Sequence, residues 1–120
     1  MNIAPVQPKP AGKISEAELQ NAIIQYARLC GWLCAHFRPA QMRSGRWATA
    51  MQGDVGFPDC VFVRGERLVF CELKAQGRKP TPEQETWLQA LREASPYGAF
   101  EVYVWDPADW ISGRVEAVLR

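Results

Sequence analysis

The stretch FPDCVFVRGERLVFCELKAQG, Phe57 to Gly77, decides how the chain is read. Two β-rich runs, DCVFVR and RLVFCELK, are separated by Gly65-Glu66, a spacing that fits a tight hairpin. Each run carries charge where a buried strand should be apolar: Asp59 at the head of the first, Glu72 and Lys74 at the tail of the second. Successive strand residues point to opposite faces, so Glu72 and Lys74 share a face with Leu68 and Phe70. A hairpin sets the start of the first run beside the end of the second. Asp59 is therefore expected across from the Glu72–Lys74 end, with two carboxylates and one amine gathered at one end of the sheet.

The flanking segments supply helices and further strands. Ser15 with Glu18 three residues on is a capping box. Leu19, Ala22, Ile23, Tyr26, Ala27 and Cys30 follow at helical spacing, and Gly31 ends the helix. WLCAHF reads as a short strand. Residues 38–56 are polar and aperiodic, a loop long enough to suspect of function. Thr81-Pro82-Glu83-Gln84 opens a second helix, with Thr81 as N-cap and Gln84 closing the box. That helix is expected to reach about Ala94, with Trp87, Leu88 and Leu91 inward. AFEVYVW is a strand, and Asp106-Pro107 opens a terminal helical segment toward Leu119. The resulting order, α-β-β-β-α-β-α, predicts an α/β fold: a small mixed sheet flanked by helices.

The chain has 120 residues, 48% of them hydrophobic, enough for one domain with one core. Residues 1–13, rich in proline and without periodicity, read as a disordered leader, and residues 14–120 as the folded domain. The leader lacks the apolar core of a signal peptide, and no apolar run approaches the roughly 20 residues of a membrane span. Cys30, Cys34, Cys60 and Cys71 form no C-x-x-C pair and read as reduced thiols of a cytosolic protein. A zinc site from Cys30, Cys34 and His36 matches no common ligand spacing. His36 reads as structural ahead of a catalytic base.

Charge is segregated. Residues 1–80 carry 11 Lys/Arg against 6 Asp/Glu, and residues 81–120 carry 3 against 7. A positive field over the part that holds the charged hairpin suits a polyanion. Two adjacent carboxylates resist joint ionisation, and a hard divalent cation removes the conflict. Mg²⁺ favours one or two carboxylates, several waters and a phosphate oxygen. With a lysine alongside, such a site suits metal-assisted phosphodiester hydrolysis. Spacing alone leaves equally open a solvated charge trio at strand ends, in which Glu72 and Lys74 form a surface pair of little worth.

Pro58-Asp59 followed on the next strand by Glu72-Leu73-Lys74 resembles the PD-(D/E)XK nuclease superfamily. The chain more narrowly resembles the VRR-NUC family, especially its small stand-alone phage and bacterial versions. SEAELQ, GFPD, CELKAQGRKPTPEQ and VYVW with its terminal helix match in order, over roughly residues 14–119. The resemblance implies a restriction-endonuclease-like core and Mg²⁺- or Mn²⁺-dependent DNA cleavage in the cytoplasm of a phage-infected or bacterial cell. By position it makes Asp59, Glu72 and the Leu73 carbonyl metal ligands and Lys74 the catalytic lysine. Glu16 falls at the acid of the first helix, a further ligand, and Gln84 at the family glutamine. Phe57 stands where valine is more usual, and the loop over residues 38–56 cannot be carried over.

Two assignments compete with local structure. The capping box accounts for Glu18, which leaves Glu16 as the functional acid. Glu16 and Gln20 are four apart and share a helix face, so Gln20 can join the site. Gln84 fits a cap and a site contact equally. Arg38, Arg43, Arg46, Arg78 and Lys79 flank the site in sequence and are expected to contact phosphates. Trp47 is a candidate stacking or wedge residue, whereas Trp32, Trp87 and Trp105 fit core positions. Small stand-alone relatives look like dimers that cut branched DNA, so the resemblance implies a homodimeric Holliday-junction resolvase. The alternatives are a nicking or flap endonuclease and a catalytically silent DNA-binding module. The terminal helix and the first helix are the candidate dimer surfaces.

Overall fold

The computed structural model describes residues 9–37, 40–41, 43–48 and 52–120. The first helix, α1, spans Glu16–Leu29 and starts on the expected box: Ser15 Oγ accepts from Glu18 N and the Glu18 side chain accepts from Ser15 N. It stops where Gly31 takes φ 86°, a conformation that favours glycine. Strands β1 (Leu33–His36), β4 (Cys60–Arg64) and β5 (Arg67–Leu73) follow, then α2 (Pro82–Ala94) and β6 (Glu101–Trp105). They form a four-stranded sheet in the order β1-β4-β5-β6. The first three strands are antiparallel neighbours, and β6 runs parallel to β5. A parallel neighbour cannot be reached by a tight turn, which is why α2 intervenes. The protein is thus an α/β domain with a mixed sheet and flanking helices.

Three details differ from the sequence reading. The segment expected to be one loop contains a short antiparallel ladder, β2 (Ala40–Gln41) against β3 (Trp47–Ala48), apart from the main sheet. Two residues per strand are too few for alternation to be visible in sequence. The C-terminal helical segment is two helices, α3 (Pro107–Ile111) and α4 (Arg114–Leu119), broken at Gly113 with φ 81°. Of the stretch read as a leader, residues 1–8 lie outside the described residues. Ala11–Lys13 forms a 3-10 turn lying against α3, and Lys9 pairs with Glu18 at 2.9 Å.

The core lies between one sheet face and helices α1 and α4. Leu19, Ile23, Ile24 and Ala27 of α1 and Val115 and Leu119 of α4 bury with Cys60, Phe62, Val69, Cys71 and Leu73 of the strands. The opposite face is covered around β5 and β6, where Phe57, Phe70, Trp87 and Phe100 meet edge to face at 5.1–6.0 Å. Trp32 and Trp105 are buried as expected, and Trp87 is half-buried.

The positive first part of the chain is partly internal wiring. The guanidinium groups of Arg64 and Arg67 lie 4.5 and 4.9 Å from the Trp32 ring centroid. Arg64 donates to the carbonyls of Cys30 and Leu119, and Arg67 to that of Val118. Arg67 also holds Glu101 through two hydrogen bonds of 2.9 and 2.7 Å. These two arginines tie β4 and β5 to the C-terminal helix; their charges satisfy helix-end carbonyls.

Gly56, just before Phe57-Pro58-Asp59, is required twice over. Its φ is 100°, and a Cβ there would lie 2.6–2.8 Å from the backbone of Glu83 and Gln84 in the first turn of α2. Gly56→Ala is expected to cost at least about 2 kcal/mol, from backbone strain plus forced separation from α2. Urea denaturation checks this, and a loss below about 0.5 kcal/mol would show that the contact yields freely.

Candidate functional site

The β4–β5 hairpin does what its alternation predicts. Cys60 pairs with Cys71, so the register places Asp59 opposite Glu72 at the open end of the two strands. Asp59 Oδ2 accepts a 2.8 Å hydrogen bond from the Leu73 amide. Its own carbonyl accepts from Phe37 N at 3.0 Å, which fixes the backbone between β1 and β5. Beyond Leu73, the Lys74 amide donates to the Trp105 carbonyl and extends the parallel pairing with β6. Each member of the trio is therefore held by sheet backbone, the stiffest support the fold offers.

Glu72 is the anomaly. It is 1% exposed and is the one buried charged residue among those described. Both carboxylate oxygens are buried without a hydrogen-bond partner. Lys74 Nζ stands 3.4 Å from Oε1, an ion pair with no hydrogen bond formed, and the lysine side chain is itself only 11% exposed. Burial first, and the neighbouring Asp59 second, raise the Glu72 carboxyl from 4.5 to about 8 against the opposing pull of Lys74. Buried carboxylates in native proteins are almost always satisfied, so a surface ion pair no longer describes this group. Apart from the Lys74 ammonium near Oε1, its oxygens accept no hydrogen bond from a described residue.

Glu16, at the first position of α1, is exposed but within electrostatic reach of Lys74 and Asp59. Partial desolvation raises its carboxyl, Lys74 opposes this, Asp59 adds to it and Arg78 opposes it. Glu18 instead is held by Lys9 and Ser15, and these bonds lower its carboxyl. The cap expected of Glu18 is formed, and Glu16 takes no part in it. Glu16→Gln is expected to reduce activity with little change in melting temperature, and Glu18→Ala to lower the melting temperature while sparing activity. Thermal melts and rates on the two variants check this; the opposite pattern would exchange their roles.

The other sequence candidates divide. Gln84 is a cap: its Oε1 accepts from Thr81 N at 2.9 Å and its backbone N–H donates to Thr81 Oγ1 at 3.2 Å. Gln20 lies beside the site's flank, its Nε2 3.7 Å from Cys60 Sγ. Arg78 is exposed and near enough to act on Glu16; Lys79, Arg43 and Arg46 are exposed. Arg38 lies outside the described residues, as does the side chain of Trp47. His36 is exposed on β1 opposite Cys60. The four thiols are free, two buried and two half-buried.

Among the described residues, no group of three or more His, Cys, Asp or Glu side chains is arranged to hold a metal ion. Asp59 and Glu72 give two carboxylates, which fits a hard cation that keeps waters and takes substrate oxygens. The Glu72 oxygens, which accept no hydrogen bond among the described residues, leave lone pairs that such a cation would use. No family model, curated protein or solved structure matches the chain. No helix among the described residues is long and apolar enough to cross a membrane.

The sequence reading missed the contacts made by the segment leading into Asp59. Trp87 Nε1 donates to the Asp54 carbonyl at 3.1 Å, and Phe57 lies against Trp87, Phe37 and Phe70. Helical periodicity made Trp87 look like ordinary core; a glycine directly before FPD was the one available hint of a close backbone approach.

Proposed function

We propose that the chain is a metal-dependent DNA endonuclease of VRR-NUC type with a restriction-endonuclease-like core. The observation that carries this reading is the Glu72 carboxylate, buried without a hydrogen bond between Asp59 and the ion-paired Lys74. The order α1-β1-β4-β5-α2-β6 around a mixed sheet supports the fold part of the reading. A purely structural charge at position 72 would cost stability for no return, since an apolar residue packs there better.

Asp59 and Glu72 would hold Mg²⁺ or Mn²⁺, with the Leu73 carbonyl and Glu16 as further donors. The bound ion supplies Lewis-acid polarisation of a phosphate oxygen and acidifies a coordinated water. The chain's own groups do the rest. Lys74, on a mostly buried stem beside Glu72, orients the attacking water or offsets charge on the phosphate. Arg78, Lys79, Arg43 and Arg46 offer exposed charge for the DNA backbone, with Arg38 assigned the same role from sequence. Gln84 keeps the start of α2 in register with the loop that delivers Asp59.

The substrate reading is branched DNA, cut by a homodimer with two sites related by a two-fold axis, as in a Holliday-junction resolvase. The apolar stripes of α1 and α4, the candidate dimer surfaces from sequence, are largely taken up by the core. Leu33 and its cross-strand partner Val63 on the β1 edge stay exposed. Purified protein with Mg²⁺ or Mn²⁺ on a panel of junction, flap, nicked and linear DNAs tests the reading. Paired symmetric nicks on the junction are expected. Cuts in one strand of flaps alone would make it a flap endonuclease, and binding without cleavage a silent DNA-binding module.

A further inference from the structure

The geometry points to Trp87 as a positioning residue for Asp59, an inference that rests on the metal reading above. Asp59 ends a six-residue approach, Asp54-Val55-Gly56-Phe57-Pro58-Asp59, and α2 grips that approach at successive points. The Trp87 indole N–H donates to the Asp54 carbonyl at 3.1 Å. Gly56 lies directly on the backbone of Glu83 and Gln84. The Phe57 ring stands edge-on to Trp87, with centroids 5.1 Å apart and planes at 86°. Pro58 is buried and its ring fixes φ. After these grips the chain has little freedom left when it reaches Asp59.

Trp87 does not touch the carboxylates; it acts through the segment it holds. Two of the grips, the hydrogen bond and the edge contact, come from this one side chain. The same segment is the root of the loop over residues 38–56, whose Arg43 and Arg46 are exposed. Trp87 therefore sets where the first carboxylate stands relative to Glu72, which is the spacing a cation reads. Groups that orient metal ligands without binding the metal typically change affinity by about 10–100-fold when removed.

The test is Mn²⁺ binding to the full chain without DNA, read from the paramagnetic resonance signal of free Mn²⁺. Trp87→Phe keeps a ring and removes the N–H; Phe57→Leu loosens the same clamp from the loop side. Both are expected to weaken Mn²⁺ binding by about tenfold. Val115→Ala, cut into the core on the other side of the sheet, is expected to lower the melting temperature yet leave Mn²⁺ affinity unchanged. Wild-type affinity in folded Trp87→Phe and Phe57→Leu would overturn the inference alone. So would an equal loss in Val115→Ala, which would reduce the effect to general destabilisation. Failure of the wild-type chain to bind Mn²⁺ would overturn the metal reading and this inference with it.

Discussion

Glu72→Gln is expected to abolish DNA cleavage and, in the same protein, to raise the melting temperature of the metal-free form at pH 8. The two effects have one cause. The carboxylate is buried, has no hydrogen-bond donor among the described residues and stands across from Asp59, so its ionised form is disfavoured in the folded chain. A carboxyl near 4.5 in the unfolded chain and at about 8 in the fold makes stability fall as pH rises between those values. The contribution is fully present below 4.5 and gone above about 8. A tenfold change in a proton affinity corresponds to about 1.4 kcal/mol, so the penalty at alkaline pH is on the order of a few kcal/mol. Glutamine removes the charge and with it the penalty. It also removes a proposed metal ligand, and Asp59→Asn should match it in lost cleavage without matching it in gained stability. Thermal melts from pH 5 to 9 on wild type and Glu72→Gln check the claim. A variant that is less stable than wild type at pH 8 would mean that Glu72 is a structural charge.

Lys74→Ala is expected to slow the chemical step by roughly a hundredfold or more, as loss of a charge-stabilising group typically does, while DNA binding stays close to wild type. Among the described residues the Lys74 ammonium is the cation paired with Glu72, and it stands 3.4 Å from Oε1 on a side chain that is 11% exposed. A group so enclosed is badly placed to grip a DNA backbone at long range, and well placed to act on one phosphate brought to the carboxylates. Exposed Arg78 and Lys79 are expected to carry the binding instead. Single-turnover cleavage and filter binding on the same variant separate the two. Binding that falls in parallel with rate would make Lys74 a phosphate anchor.

The hairpin and both long helices were legible because each is specified locally. Alternation over Cys60–Leu73 sets the face, Gly65-Glu66 sets the turn, and two capping boxes set the starts of α1 and α2. The capping role of Glu18 was legible for the same reason, since a cap is a matter of three residues. What sequence could not show depends on contacts between distant segments. The Trp87–Asp54 bond spans 33 residues, and the Arg64 and Arg67 contacts with Trp32 and the C-terminal carbonyls join three regions. In sequence those arginines count as positive surface; in the fold they fasten a helix. The ladder at 40–41 and 47–48 was hidden by its brevity. The isolation of Glu72 was hidden too. Two acids and a lysine can be placed side by side from period and register, but whether water reaches them depends on how tightly the ends of β4, β5 and β6 close over them.

One measurement bears most directly on the nuclease reading. Purified wild type and Glu72→Gln are incubated with an end-labelled four-way DNA junction in Mg²⁺, with and without EDTA, and the products are resolved on a denaturing gel. The predicted result is paired nicks at symmetric positions with wild type in Mg²⁺, and intact strands with EDTA or with Glu72→Gln. Cleavage that survives EDTA or persists in Glu72→Gln would contradict the account, as would intact DNA in every lane when Mn²⁺ replaces Mg²⁺.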